Sequence, residues 1–152
     1  MAFDRITLPP QSYLYVPRES AMTPEAMSEA IGSGFAEVFG FCGTRGITPL
    51  SAPICVYFDM TDPIRFHAGV VVAEGDAVKA ADPVQAGVLP TEAVAGVHVG
   101  PYSSLGQTHQ QLWDYARGEG LEVGMPVWEV YLDDPGEVAE EALRTEIFRA
   151  VG

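Results

Sequence analysis

Basic residues are scarce in this chain. Eight Lys and Arg stand against 21 Asp and Glu, a formal net charge of −13. Nucleic-acid affinity comes mostly from Lys and Arg neutralising phosphates. No basic stripe offsets the acidity, and the nearest approach is the isolated pair Arg144 and Arg149. Direct DNA or RNA binding is therefore not expected. Cysteine is nearly absent as well. Cys42 and Cys55 cannot make a disulfide framework in a domain of this size, and both read as reduced, apolar packing residues. Long apolar runs are missing too. No stretch approaches the roughly 20 apolar residues of a membrane span, and the Met-Ala-Phe-Asp-Arg-Ile start has no leader pattern. The expected location is the cytosol. His67, His98 and His109 are scattered without metal-ligand spacing, so neither a metal nor another cofactor is expected.

What remains is an ordinary globular composition, 47% hydrophobic over 152 residues. That length predicts one domain, residues 1–152, large enough to bury a real core. The acidity has a plain reading as a solubility device. It also raises the local concentration of cations, so a cationic ligand is compatible with it.

Strand-like and helix-like patterns alternate along the chain. Gln11–Val16 alternates with period 2, and Pro17 is expected to end it. Thr23-Pro24-Glu25 reads as a helix start with Thr as N-cap and Pro at N1. Met27, Ala30, Ile31, Gly34, Phe35, Val38 and Phe39 then follow at helical spacing, and Gly40, Gly43 and Gly46 close the helix. Ala52–Asp59 and Ile64–Glu74 read as strands, with a break at Gly75-Asp76. In the second half, Gly87–Leu89 and Glu92–Val99 are strand-like. Ser104 and Gln107 have the spacing of a capping box. Leu105, Thr108, His109, Leu112, Trp113 and Ala116 mark a helix face, followed by strands at Met125–Asp133 and Arg144–Val151.

The two halves, about residues 5–75 and 84–152, repeat one plan of strand, helix, strand, strand. Placing Tyr57 on Tyr131 puts Val56 on Val130, Asp59 on Asp133, Gly46 on Gly120, Phe39 on Trp113 and Cys55 on Glu129. The expected fold class is α+β. Two pseudo-twofold-related repeats form antiparallel sheets, helices pack on the sheets, and a central groove between the halves suits a small ligand.

The sharpest chemical signal is Glu129. Along Val127–Leu132 the residues on both faces are otherwise apolar or aromatic, so an acid sits in the middle of a covered strand. An ionised carboxylate buried without partners costs several kcal/mol. One reading is a structural salt bridge with Arg65 or Arg144. The other makes Glu129 the counter-ion of a bound cation, or a catalytic acid or base. Tyr131 shares its strand face, Tyr57 holds the repeat-related position, and aromatic rings attract cations. Tyr13, Tyr15, Tyr102 and Trp113 are further candidates, each with core packing as the plain alternative. His98 and His109 read as satisfied structural histidines. Ser104 serves better as a cap than as a nucleophile. Glu137, Glu140 and Glu141 read as a solvated turn.

Gly100-Pro101-Tyr102, Leu112-Trp113, the string from Trp128 to Pro135 and Leu143-Arg144-Thr145-Glu146-Ile147 together resemble the GyrI-like small-molecule-binding family. That family includes effector-binding domains of AraC-type and MerR-type multidrug regulators and the DNA gyrase inhibitory protein. The resemblance is firm over residues 94–151 and looser over 11–74. It implies a groove in which the strand glutamate, here Glu129, meets lipophilic or cationic ligands among aromatic side chains. The ligand-binding set expected here is Glu129, Tyr131, Tyr57, Cys55, Tyr102, Tyr15, Trp113 and Trp128. A branch of the family is thought to hydrolyse strained electrophiles, in which case Glu129 and Tyr131 would be catalytic. A third implied role is protein interaction of the gyrase-inhibitor kind, through the acidic surface. No helix-turn-helix pattern is visible, so DNA regulation by this domain alone is not expected.

Overall fold

A computed structural model describes residues 2–152. The chain forms strands β1 (Asp4–Thr7) and β2 (Ser12–Ser20), helix α1 (Pro24–Arg45), then β3 (Ile54–Asp59), β4 (Ile64–Val72) and the short α2 (Glu74–Ala77). It continues through β5 (Gln85–Val88), β6 (Glu92–Val99), α3 (Leu105–Gly118), β7 (Val123–Tyr131) and β8 (Arg144–Val151). The fold is α+β. The strands make one eight-stranded antiparallel sheet in the order β1-β6-β8-β7-β3-β4-β2-β5. Read outward from the central β3–β7 pair, one side runs β3-β4-β2-β5 and the other β7-β8-β6-β1.

The local reasons are legible. Thr23 accepts a hydrogen bond from the Ala26 amide at 3.3 Å, Pro24 opens α1, and Gly46 closes it in the left-handed region at φ 66°. Gly34 has a packing reason. A Cβ there would lie 2.6 Å from Ala68 Cβ, so its bare backbone lets α1 settle onto β4.

Two expectations need correction, on Pro17 and Ser104, and one strand lies where the sequence reading places none. Pro17 does not end β2, which runs on to Ser20. β5 pairs only with Ser12–Tyr15, so at Pro17 one edge of the strand is open and a missing N–H costs nothing there. Residues Asp4–Thr7 form a strand, because pairing with Glu92–Ala95 supplies what their short pattern does not announce. Ser104 makes no side-chain cap to α3; its hydroxyl donates instead to the Pro101 carbonyl at 2.9 Å.

The sheet buries both faces. On one, Leu14, Val16, Cys55, Tyr57, Phe66, Ala68 and Val70 pack under Val38 and Cys42 of α1. On the same face, Val94 and Ile147 pack under Leu105, Leu112 and Ala116 of α3. The other face carries Tyr13, Ile54, Val56, Trp128 and Phe148. The two long helices thus lie side by side on one face, and the seam between them runs above β3 and β7.

Candidate functional site

β7 places Glu129 at the bottom of that seam. The antiparallel register sets it directly opposite Cys55 of β3 and Ile147 of β8. Tyr131 follows two residues on and shares its face. Tyr57 lies diagonally across on β3, opposite Val127. These are the positions that strand alternation picks out from the sequence.

The carboxylate is 5% exposed and has three donors. The Tyr131 hydroxyl donates to Oε1 at 2.5 Å and the Tyr57 hydroxyl to the same oxygen at 3.3 Å. His109 Nε2 lies 2.7 Å from Oε2. The two phenol oxygens are 3.3 Å apart, which closes the cluster. Hydrogen bonds to a charged group are worth about 1.5–3 kcal/mol each, enough together to offset much of the cost of burying a carboxylate. Burial, with the charge of Glu129 and the neighbouring Cys55, pushes both phenols well above their ordinary range, so they remain protonated donors. Burial and then the Glu129 charge likewise push the Cys55 thiol up. Glu129 is thus an acceptor held among proton donors.

His109 is the partner of Glu129 that the sequence reading did not name. Among the described residues it is the one basic side chain that touches Glu129. A signal was present. The polar ring of His109 sits between Leu105 and Leu112 on an apolar helix face, where a covered polar group needs a hydrogen-bond partner. The proposed arginine partners are engaged elsewhere: Arg65 pairs with Glu19 at 3.1 Å and Arg144 with Asp133 at 2.9 Å. His98 is a satisfied structural residue. Its Nε2 donates to the Pro101 carbonyl at 3.0 Å, so its Nδ1 accepts from Thr108 Oγ1 at 2.6 Å.

The remaining aromatic candidates separate. Tyr102 meets Tyr131 edge-on at 5.6 Å, and Phe35 of α1 meets it edge-on at 6.0 Å. Tyr102 is 38% exposed and forms the outer rim of the cluster. Trp128 does not join. It is buried on the opposite face of the sheet, stacked on Phe148 at 5.0 Å. Tyr15 also lies on that face, stacked on His67 at 3.6 Å, with its hydroxyl on Gln85. Trp113 lies one turn beyond His109 on α3, but its ring is attended by the guanidinium groups of Arg117 at 4.9 Å and Arg149 at 5.9 Å. Those cations would repel a cationic guest.

These side chains line the seam. Two surface cavities lie outside it. One, of about 310 Å³, is lined by Tyr102, Ser103, Pro135, Glu140 and Leu143. The other, of about 370 Å³, lies at Arg18, Phe58, Arg65 and His67. The first shares Tyr102 with the Glu129 cluster. Among the described residues, no group of three His, Cys, Asp or Glu could hold a metal ion, and no helix is long and apolar enough to cross a membrane.

The family model of the GyrI-like small molecule binding domain matches residues 1–151. The chain belongs to this family. No curated protein matches it. Among solved structures, this GyrI-like chain is similar to the C-terminal domain of EcmrR, at 19% identity and TM-score 0.77, covering 99% of this chain and 96% of that one. It is similar to SAV2435, solved bound to tetraphenylphosphonium, at 12% identity and TM-score 0.66, covering 100% and 94%. It is also similar to a hydrolase from Listeria innocua, at 19% identity and TM-score 0.68, covering 99% and 91%. At these identities the likeness is one of fold.

Proposed function

We propose that this GyrI-like domain binds small lipophilic cations, with Glu129 as the counter-charge and Tyr57, Tyr131 and Tyr102 as the aromatic walls. The observation that carries the reading is a buried carboxylate held by phenols and one imidazole, with no arginine or lysine upon it. A cation reaching it replaces donors already in place, so affinity is an exchange and not a simple gain. Tyr131 stands between Phe35 and Tyr102, and a ligand enters by displacing Tyr102 from its edge. The tetraphenylphosphonium bound by SAV2435 is a ligand of the proposed class. The test is thermal shift with methyltriphenylphosphonium against the neutral triphenylphosphine oxide. Binding to the native state raises the melting temperature by mass action. The cation should stabilise the wild type more than the neutral analogue does, and Glu129→Gln should remove that preference. Equal shifts for both compounds in the wild type would sink it.

A second reading is favoured by the His109–Glu129 contact. A carboxylate joined to an imidazole, with a phenol proton beside it, can move protons as a general acid or base. Water addition to a strained electrophile is the corresponding reaction, and one structural neighbour is a hydrolase. It requires turnover that Glu129→Gln abolishes while binding persists.

A further inference from the structure

Arg117 and Arg149 stand apart from the other basic residues. Arg5, Arg18, Arg65, Arg144 and Lys79 each pair with a carboxylate, and Arg45 lies over Phe41. In a chain with 21 acids and eight basic residues, an arginine can readily find an acid. Arg117 and Arg149 have no acid within ion-pair distance among the described residues, and instead converge on one indole, that of Trp113. Arg149 is half-buried, and its Nε is fully covered without a hydrogen-bond partner. An unmet buried donor costs about 1–3 kcal/mol, more when charged. Burial draws this guanidinium below its usual range, the response of a cation that lacks a counter-ion.

The place is defined by the sheet. Arg149 lies opposite Val127 across β7 and β8, on the face that carries Glu129, and Trp113 is 37% exposed. The helix and the strand therefore present two guanidinium groups and a partly open indole next to the Glu129 cluster.

We infer that Arg117, Arg149 and Trp113 form an oxyanion-binding site, for a carboxylate or a phosphate group, beside the Glu129 cluster. Guanidinium groups match both anions with paired N–H donors, and the indole offers a flat apolar wall to the body of the ligand. The net charge of −13 opposes an anion at long range. At physiological salt that field is screened beyond about 8 Å, so the two adjacent guanidinium groups govern the contact. This site shares no side chain with the proposed cation site and is independent of it.

The test is NMR titration of the full chain with inorganic phosphate and, separately, with benzoate, following the Arg149 Nε–H and the Trp113 indole N–H. Chloride at matched ionic strength is the control. Saturable shifts of both signals are expected with at least one probe. Phosphate alone would mark a phosphate site, and benzoate alone an aromatic carboxylate site. Arg149→Lys keeps the charge but loses the paired donors, and should weaken binding about ten-fold or more, a change of about 1.4 kcal/mol. Arg117→Gln, at an exposed position, should weaken it similarly if Arg149 variants fold poorly. No shift beyond the chloride control, or shifts that survive both substitutions, would overturn the inference.

Discussion

His109 Nε2 and Glu129 Oε2 lie 2.7 Å apart, so an imidazole from α3 already occupies the carboxylate on which the proposed cation would bind. His109→Leu removes this occupant. The carboxylate keeps only its two phenol donors, and stability should fall by about 1.5–3 kcal/mol, the worth of a hydrogen bond to a charged group. The stabilisation given by methyltriphenylphosphonium should rise in the same variant, because the ligand no longer displaces an imidazole. Urea unfolding with and without the cation checks both. A drop in stability with no larger ligand effect would show that His109 does not compete with the ligand.

The phenols should be separable. Tyr131→Phe removes the shorter bond to Glu129, at 2.5 Å, and Tyr57→Phe the longer, at 3.3 Å. Both leave the rings and their packing. Each should cost stability, by about 1 kcal/mol or somewhat more, with the Tyr131 variant the worse of the two. Chemical denaturation at neutral pH gives the order.

Two neighbouring glycines of α1 should respond with opposite sign. A methyl group added at Gly32 would meet nothing within 4 Å, so Gly32→Ala should gain up to about 1 kcal/mol of helix propensity. At Gly34 the added methyl meets Ala68 at 2.6 Å, and overpacking of this kind costs about 1–3 kcal/mol. Gly34→Ala should therefore destabilise despite the same gain in propensity. Melting temperatures of the two variants decide it.

His67 sets a pH dependence. Burial lowers its pKa from 6.5 to about 4. Between those values the unfolded chain binds a proton that the folded chain refuses, so stability rises with pH there and is lost as pH falls from 6.5 toward 4. The ring is only half-buried, and solvent moderates the effect. His67→Gln should show a shallower loss of stability between neutral and mildly acid pH, measured by urea midpoints across that window.

Both thiols should be silent in the folded protein. Cys42 and Cys55 are buried, and burial raises the pKa of each. Labelling by a thiol reagent at neutral pH should proceed only as fast as the chain opens, and a denaturant should release both at once.

Period-2 and period-3.6 patterns sufficed for α1, α3 and the central strands, and β8 falls on the residues its pattern marks. They sufficed for Glu129, Tyr131 and Tyr57 as well, because alternation on two strands puts all three side chains on one face. The partner of Glu129 was not legible in the same way. His109 lies 20 residues away on another element, and only the packing of α3 on the sheet brings the two together. Trp128 and Tyr15 lie apart from the Glu129 cluster for the reverse reason. Their aromatic character was plain, but a sheet with two buried faces sends half its aromatics to each, and type alone does not say which. β1 was missed because four residues carry too little pattern to announce a strand without their partner.

The outermost strands belong to the opposite halves of the sheet from the segments they lead into. β1 pairs with β6 before the chain crosses to β2, and β5 pairs with β2 before the chain crosses to β6. The Leu8 amide donates to the Thr91 carbonyl at 2.7 Å, and the Leu89 amide to the Gln11 carbonyl at 2.9 Å, where these crossings pass. A break in the backbone at the connection between α2 and β5 would thus leave two pieces, each holding a strand that the other lacks. They would reassemble as clasped hands do, and neither would make a satisfactory domain by itself.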